Sequence, residues 1–117
     1  MVDDGRQKYR NTKTECDGIT FDSKKESNRY AELKMLQRAG HIHSLELQPR
    51  FEIMPAVKFN GKTLRKRFYV ADFSYTEGAK KIVEDVKSPI TRRNPVYTLK
   101  RQLFLLQYRK QYELRET

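Results

Sequence analysis

The chain has 117 residues, 37% of them hydrophobic, enough for one compact domain and too little for two. No apolar run reaches membrane-spanning length, and the opening Met1-Val2-Asp3-Asp4-Gly5-Arg6 lacks the apolar stretch of a secretory signal, so a cytoplasmic protein with no membrane partner is expected. The lone Cys16 excludes an internal disulfide and a cysteine zinc cluster, while 25 Lys and Arg against 15 Asp and Glu give a net charge of +10, which favours a polyanionic partner such as nucleic acid.

Residues 1–13 are polar and basic (Arg6, Lys8, Arg10, Lys13) without periodicity and read as a weakly ordered arm, leaving 14–117 as a single domain. Thr14-Glu15-Cys16 and Ile19-Thr20-Phe21 flank Asp17-Gly18, a tight-turn dipeptide, and predict a small β-ribbon. A helix is expected from Asp22 or Ser23 to Ala39, with Gly40 as its stop. Tyr30, Leu33 and Leu36, helped by Ala31 and Met35, form its apolar stripe. Glu26, four before Tyr30 and seven before Leu33, falls on that face; it is either an inward acid or the glutamate of a Ser23-Lys24-Lys25-Glu26 capping box. His41 and His43 have metal-ligand chemistry, but no third ligand is near in sequence, and a loop or strand start is the commoner setting.

Leu45 to Arg50 leads into a strand at Phe51-Glu52-Ile53-Met54, with Pro49 marking its start; Gln48 is either a polar residue satisfied by backbone or one that faces a site. Val57-Lys58-Phe59 and Lys62-Thr63-Leu64 flank Asn60-Gly61, the strongest hairpin signal in the chain, and the return strand is expected to run on into Arg67 to Tyr75. Thr76 to Ala79 reads as a turn and Lys80 to Lys87 as the strand returning from it. Three strands therefore follow the helix as a meander. Ser88 to Pro95 is a breaker-rich surface loop whose Arg92 and Arg93 suit a phosphate backbone. Asn94 caps a second helix from Pro95 or Val96 to Tyr108, with Val96, Leu99, Leu103 and Leu106 inward, Phe104 and Leu105 widening the stripe, and Lys100 at the rim. Gln111 to Arg115 reads as a last strand.

The chemistry concentrates in the Phe68 to Lys87 hairpin. Alternation puts Asp85 and Lys87 on one face of their strand, with Glu84 and Val86 on the other. A register that sets Asp72 opposite Asp85 brings two carboxylates close enough to share a hard divalent cation, with Lys87 placed to touch a phosphate or an attacking water. The bland reading of Asp85 and Lys87 is a surface ion pair of little energetic worth. Against it, Asp72 on the facing arm would crowd like charges with no metal to offset them.

The helix–three strands–helix–strand order, with Asp72 on the second strand, Asp85-x-Lys87 on the third and Glu26 on the first helix, resembles the PD-(D/E)XK nuclease superfamily. More narrowly, Gly18 to Glu26, Leu45 to Phe51 with Gln48-Pro49, and Val83 to Lys87 look like a family of small phage and prophage proteins catalogued as a domain of unknown function. The resemblance implies an α/β (α+β) αβββαβ core with a mixed central sheet flanked by helices. It also implies Asp72, Asp85 and Glu26 around Mg²⁺ or Mn²⁺, Lys87 at the water and the phosphate, and Gln48 behind them. Two departures stand out: Ala71 occupies the place of the motif's proline, and the last acid is aspartate, not glutamate.

The function so implied is Mg²⁺-dependent endonuclease cleavage of DNA, either at branched substrates, as by Holliday-junction resolvases working as homodimers, or with low sequence specificity. Arg65, Lys66, Arg92, Arg93 and Lys100 are the expected nucleic-acid contacts. The rival reading is a nuclease-shaped module that binds DNA or RNA without cutting it; a weaker one is a protein whose charge serves an acidic partner.

Overall fold

A computed structural model describes residues 13–117; the basic arm before them lies outside the described residues. The chain divides into two compact units, Met1–His41 and Ile42–Thr117.

In the first unit, Asp17-Gly18 closes an antiparallel ribbon of β1 (Thr14–Cys16) and β2 (Ile19–Phe21), with Thr14 facing Phe21. Helix α1 (Lys24–Arg38) starts where Ser23 Oγ accepts from the Glu26 N–H at 3.0 Å, half of a capping box. Tyr30 and Leu33 are buried, and the Tyr30 ring lies 5.0 Å from that of Phe21, tilted by 38°. Ala31 and Met35, expected to help the stripe, are exposed: the buried face is narrower and runs through Glu26, Ser27, Tyr30 and Leu33.

The second unit is built on a four-stranded mixed sheet in the order β10-β9-β8-β3. Strand β3 (His43–Leu47) lies antiparallel to β8 (Phe73–Glu77), β8 antiparallel to β9 (Lys80–Asp85), and β9 parallel to β10 (Glu113–Glu116). Between β3 and β8 the chain leaves the sheet as two further antiparallel pairs, β4 (Arg50–Met54) with β7 (Arg67–Val70) and β5 (Val57–Phe59) with β6 (Lys62–Leu64). After β9 come a single helical turn, α2 (Pro89–Arg92), and α3 (Pro95–Tyr108). The fold is thus mixed α/β, rich in strands, and α1-β3-β8-β9-α3-β10 reproduces the expected αβββαβ order with an insertion.

The sequence reading places four of these elements differently. The first of the three sheet strands is β3, not Phe51 to Met54; Gln48 with φ of 50° and then Pro49 turn the chain out of the sheet, so the later strand pairs with β7. The expected continuous strand from Arg67 to Tyr75 breaks at Ala71-Asp72, and the return strand ends at Asp85, two residues before Lys87. The loop from Ser88 holds a helical turn because Ser88 Oγ accepts from the Thr91 N–H at 3.1 Å. Helix α3 begins at Asn94 as expected, its Oδ1 accepting from the Val96 and Tyr97 N–H groups. Its inward face keeps Leu103, Phe104 and Leu105 as expected and adds Tyr97 and Tyr108, while Val96, Leu99 and Leu106 are exposed.

Aromatic area decides that choice of face. Phe104, fully buried, lies 4.8 Å from Tyr69 and 4.9 Å from Phe51, within a core of Ile53, Ala71 and Val83. Two bonds fix the helix on β4: Gln107 Nε2 donates to the Ile53 carbonyl at 2.7 Å and the Tyr108 hydroxyl to that of Glu52 at 2.9 Å.

Candidate active site

Strand β9 begins with exposed Lys80 and Lys81 and then runs Ile82-Val83-Glu84-Asp85, all four fully buried between β8 and β10. Two adjacent acids in such a place need partners, because an unmatched buried carboxylate costs several kcal/mol, about the order of a domain's whole stability. Alternation sends them to opposite faces. Glu84 accepts from the Tyr75 hydroxyl at 2.6 Å and from Thr117 Oγ1 at 3.0 Å. On the other face, Asp85 accepts from the Tyr69 hydroxyl through Oδ2 and from the Asp72 N–H through Oδ1 at 3.1 Å.

The break at Ala71-Asp72 falls where the chain passes from pairing with β4 to pairing with β3 and β9. Phe73 faces Glu84 in the ladder, and the same register carried one residue further sets Asp72 beside Asp85. There side chains join the backbone bonding: Asp72 Oδ2 accepts from the Val86 N–H at 2.7 Å while Asp85 Oδ1 accepts from the Asp72 N–H. The main chain of Asp72 is held from both sides, its N–H also reaching the Glu84 carbonyl and its carbonyl accepting from the Gln48 N–H at 2.9 Å. The backbone N–H of Gln48 is thus what supports Asp72; the side chain is exposed.

Lys87 closes the cluster. Its Nζ lies 3.6 Å from Asp85 Oδ1 and 3.8 Å from Asp72 Oδ2, and 5.8 Å over the Tyr97 ring. Solvent reaches the group from one side: the Asp85 side chain is 0% exposed, that of Asp72 12% and that of Lys87 23%. Burial, then the Asp85 carboxylate, push the Tyr69 phenol far above its ordinary range, so it stays a donor. Burial, then the hydrogen bond to Glu116, raise that of Tyr97 as well. Glu116 in turn pairs with Arg101 Nη1 at 2.9 Å. Burial works to raise its pKa, but the bonds from Tyr97 and Arg101 outweigh it and leave it below the usual carboxylate range.

Asp72, Asp85 and Lys87 therefore come together within the second unit. Glu26 is buried on α1 in the first unit, next to its cap. Arg92 donates through Nη2 to the Thr117 carbonyl at 3.0 Å, and Arg93 is exposed at the end of α2. Lys100 is half-buried on α3, while Arg65 and Lys66 are exposed ahead of β7. His41 and His43 are exposed, and among the described residues no group of three His, Cys, Asp or Glu side chains is arranged for a metal ion. Tyr69 and Tyr97, which line the acids and the lysine, escaped the sequence reading; Tyr69 reaches Asp85 from a different strand pair, and no spacing in the chain announces that.

The pair of carboxylates fits Mg²⁺ or Mn²⁺ in donor chemistry. Both ions take hard oxygen ligands and keep waters of their own, so one or two carboxylates suffice. Asp72 Oδ2 and Asp85 Oδ1 already converge on one positive charge, the Lys87 ammonium, and two carboxylates with one ammonium leave a negative charge in excess.

A sheet of mixed direction with a carboxylate pair and a lysine where β8 begins and β9 ends defines a class of basic α/β protein with a polar site at the end of its sheet. The chain belongs to the family described as "Protein of unknown function (DUF1064)", which matches residues 6–115. No curated protein and no solved structure matches it. No described helix is long and apolar enough to cross a membrane.

Proposed function

We propose that this protein is a divalent-metal-dependent DNA endonuclease of the PD-(D/E)XK kind. One observation carries the reading: a lysine within 4 Å of two carboxylates that hydrogen bonds from Tyr69, Asp72 N–H and Val86 N–H hold in place. A structural ion pair needs one carboxylate; a second one, fixed by backbone, adds like charge that a cation would offset. The net charge of +10 supports a phosphodiester substrate.

Asp72 and Asp85 would hold Mg²⁺ or Mn²⁺, which when bound supplies Lewis-acid neutralisation of charge on the phosphate. Lys87, the most exposed of the three side chains, would donate to a phosphate oxygen and orient the attacking water, while Tyr69 keeps the Asp85 carboxylate in one orientation. Water adds to phosphorus and gives up a proton to solvent, the bond to the leaving sugar oxygen breaks, and that oxygen takes up a proton from solvent. Action in the cytoplasm, on branched DNA or with low sequence specificity, and as a homodimer, belongs to the same proposal.

The test is cleavage of end-labelled duplex, single-stranded, flap and four-way-junction DNA with Mg²⁺, Mn²⁺ or EDTA. Metal-dependent cutting is expected, reduced by at least about 100-fold in Asp85→Ala and in Lys87→Ala while DNA binding persists. Binding without cutting of any substrate under either metal would leave a non-catalytic nucleic-acid-binding module.

A further inference from the structure

Residues 54–67 are exposed without interruption, and β5 and β6 lie at their centre as a ribbon that pairs with no other strand among the described residues. Its register is Val57 with Leu64, Lys58 with Thr63 and Phe59 with Lys62. Cross-strand partners share a face, so Val57, Phe59, Lys62 and Leu64 project to one side and Lys58 and Thr63 to the other. The apolar members of the first face are 56%, 62% and 46% exposed for Val57, Phe59 and Leu64. A lone hairpin is marginal in water, and an apolar face left in solvent does nothing to stabilise it.

The charge around the ribbon says what meets it. From Ile53 to Arg67 there are five cations, Lys58, Lys62, Arg65, Lys66 and Arg67, and no acid. At its base, Arg50, Arg65, Lys66 and Arg67, with the single acid Glu52, line an open groove of about 760 Å³, where the Arg50 guanidinium lies 4.1 Å over the Phe68 ring. An acid-free cationic ribbon complements a phosphate backbone, and an exposed phenyl ring between lysines complements the face of a base. The groove's one lining acid, Glu52, lies 3.9 Å from Lys66, so four cations face one carboxylate there and the surface stays net positive, which a protein partner for an apolar patch of this size would not require.

We propose that the β5–β6 ribbon is the DNA-engaging arm of the protein, in which the five cations hold phosphates and Phe59 stacks on a base that has left the duplex. DNA with unpaired bases is then bound in preference to intact duplex. This rests on the DNA reading of the site and adds the substrate class to it.

Fluorescence anisotropy with the full chain, labelled single-stranded, forked and fully paired DNA, and a series of salt concentrations tests it. Three variants are compared with wild type: Phe59→Ala, Lys58→Gln with Lys62→Gln, and Asp85→Asn as a probe of the acid site. Expected are tighter binding of forked and single-stranded DNA by wild type, and a roughly 5- to 100-fold loss of that binding in Phe59→Ala with little change on duplex. The double lysine variant should lower the slope of log affinity against log salt on duplex by about 0.9 per lysine. All substituted ribbon side chains are exposed, so a fold change is not expected, and circular dichroism checks it. DNA binding by wild type that neither ribbon variant alters overturns the ribbon proposal and leaves the DNA reading standing. Absence of DNA binding by wild type overturns both. Altered sedimentation of Phe59→Ala with unaltered DNA affinity makes the ribbon a contact between copies of the chain and overturns its role on DNA.

Discussion

The end of β9 and the β5–β6 ribbon belong to one unit and are shaped by opposite means. Residues 82–85 have no exposure, and the polar groups there are tied across three strands, Asp85 to Tyr69 and Asp72, Glu84 to Tyr75. Residues 54–67 are all exposed, and the ribbon's shape comes from Asn60-Gly61, with φ of 53° and 74°, and from one short ladder. The first region fixes charge by burial, which suits chemistry that needs rigid groups. The second keeps charge and an aromatic ring in water, which suits a surface that forms its contacts only with a partner.

The strongest way to break that contrast is to loosen the buried end. Tyr69→Phe removes one hydroxyl and leaves Asp85 Oδ2 without that donor on a side chain with no exposure. The cost expected in urea unfolding is about 1–3 kcal/mol. Metal-dependent cleavage should fall by about 10- to 100-fold, with the midpoint of the Mg²⁺ titration moved upward, because an unheld carboxylate is a poorer ligand. A variant with unchanged stability and an unchanged metal response would show that Asp85 is oriented by something other than Tyr69.

What could be read from the sequence follows the same division. The two Asx-Gly turns, the Ser23 and Asn94 caps and the stop at Gly40 are local, set by residues within a few positions of one another, and all appear where the residues put them. Asp85 and Lys87 on one side of a strand, and Asp72 across from Asp85, needed only alternation and a register, and the three do meet. The break at Ala71-Asp72 was not legible, since it falls where the chain passes from pairing with β4 to pairing with β3 and β9, nor was β3, whose strand the reading placed at Phe51 to Met54. On helix α3 the legible stripe was Val96-Leu99-Leu103-Leu106 widened by Phe104 and Leu105; Leu103, Phe104 and Leu105 do pack on the core, but the aromatic pocket of Phe51 and Tyr69 takes Phe104 and leaves Val96, Leu99 and Leu106 in solvent.

A smaller perturbation separates the two regions with one chemical change made twice. Gly78 turns β8 into β9 with φ of 62°, and Gly61 turns β5 into β6 with φ of 74°. A Cβ at either would meet nothing within 4 Å, so the strain of Gly→Ala is backbone strain alone, about 1–2 kcal/mol. In Gly78→Ala that strain falls on the strands that carry Asp72 and Asp85, and the global melting temperature should drop. In Gly61→Ala it should appear as faster amide exchange confined to 57–64, with global stability within about 0.5 kcal/mol of wild type. Equal losses of global stability in the two variants would mean that the ribbon is part of the cooperative unit after all.

Acid separates them by the least energy. The ribbon from Ile53 to Arg67 holds no carboxylate, so lowering the pH through the carboxylate range leaves its charge unchanged. Glu116, on the strand beside β9, does titrate, and its pKa is lowered in the fold: burial opposes this, but the Tyr97 hydroxyl and Arg101 prevail. A folded pKa below the unfolded one means that the unfolded chain binds the proton more readily, so the stabilisation is complete above the ordinary value of 4.5 and is lost as the pH falls through the lowered value. Because the side chain is partly exposed, solvent screening keeps the effect below about 1 kcal/mol. Glu116→Gln keeps an acceptor for Tyr97 but cannot titrate. Its melting temperature should lie slightly below that of wild type near neutral pH and converge with it below pH 4.5, whereas a constant gap across that range would place the titrating group elsewhere in the sheet.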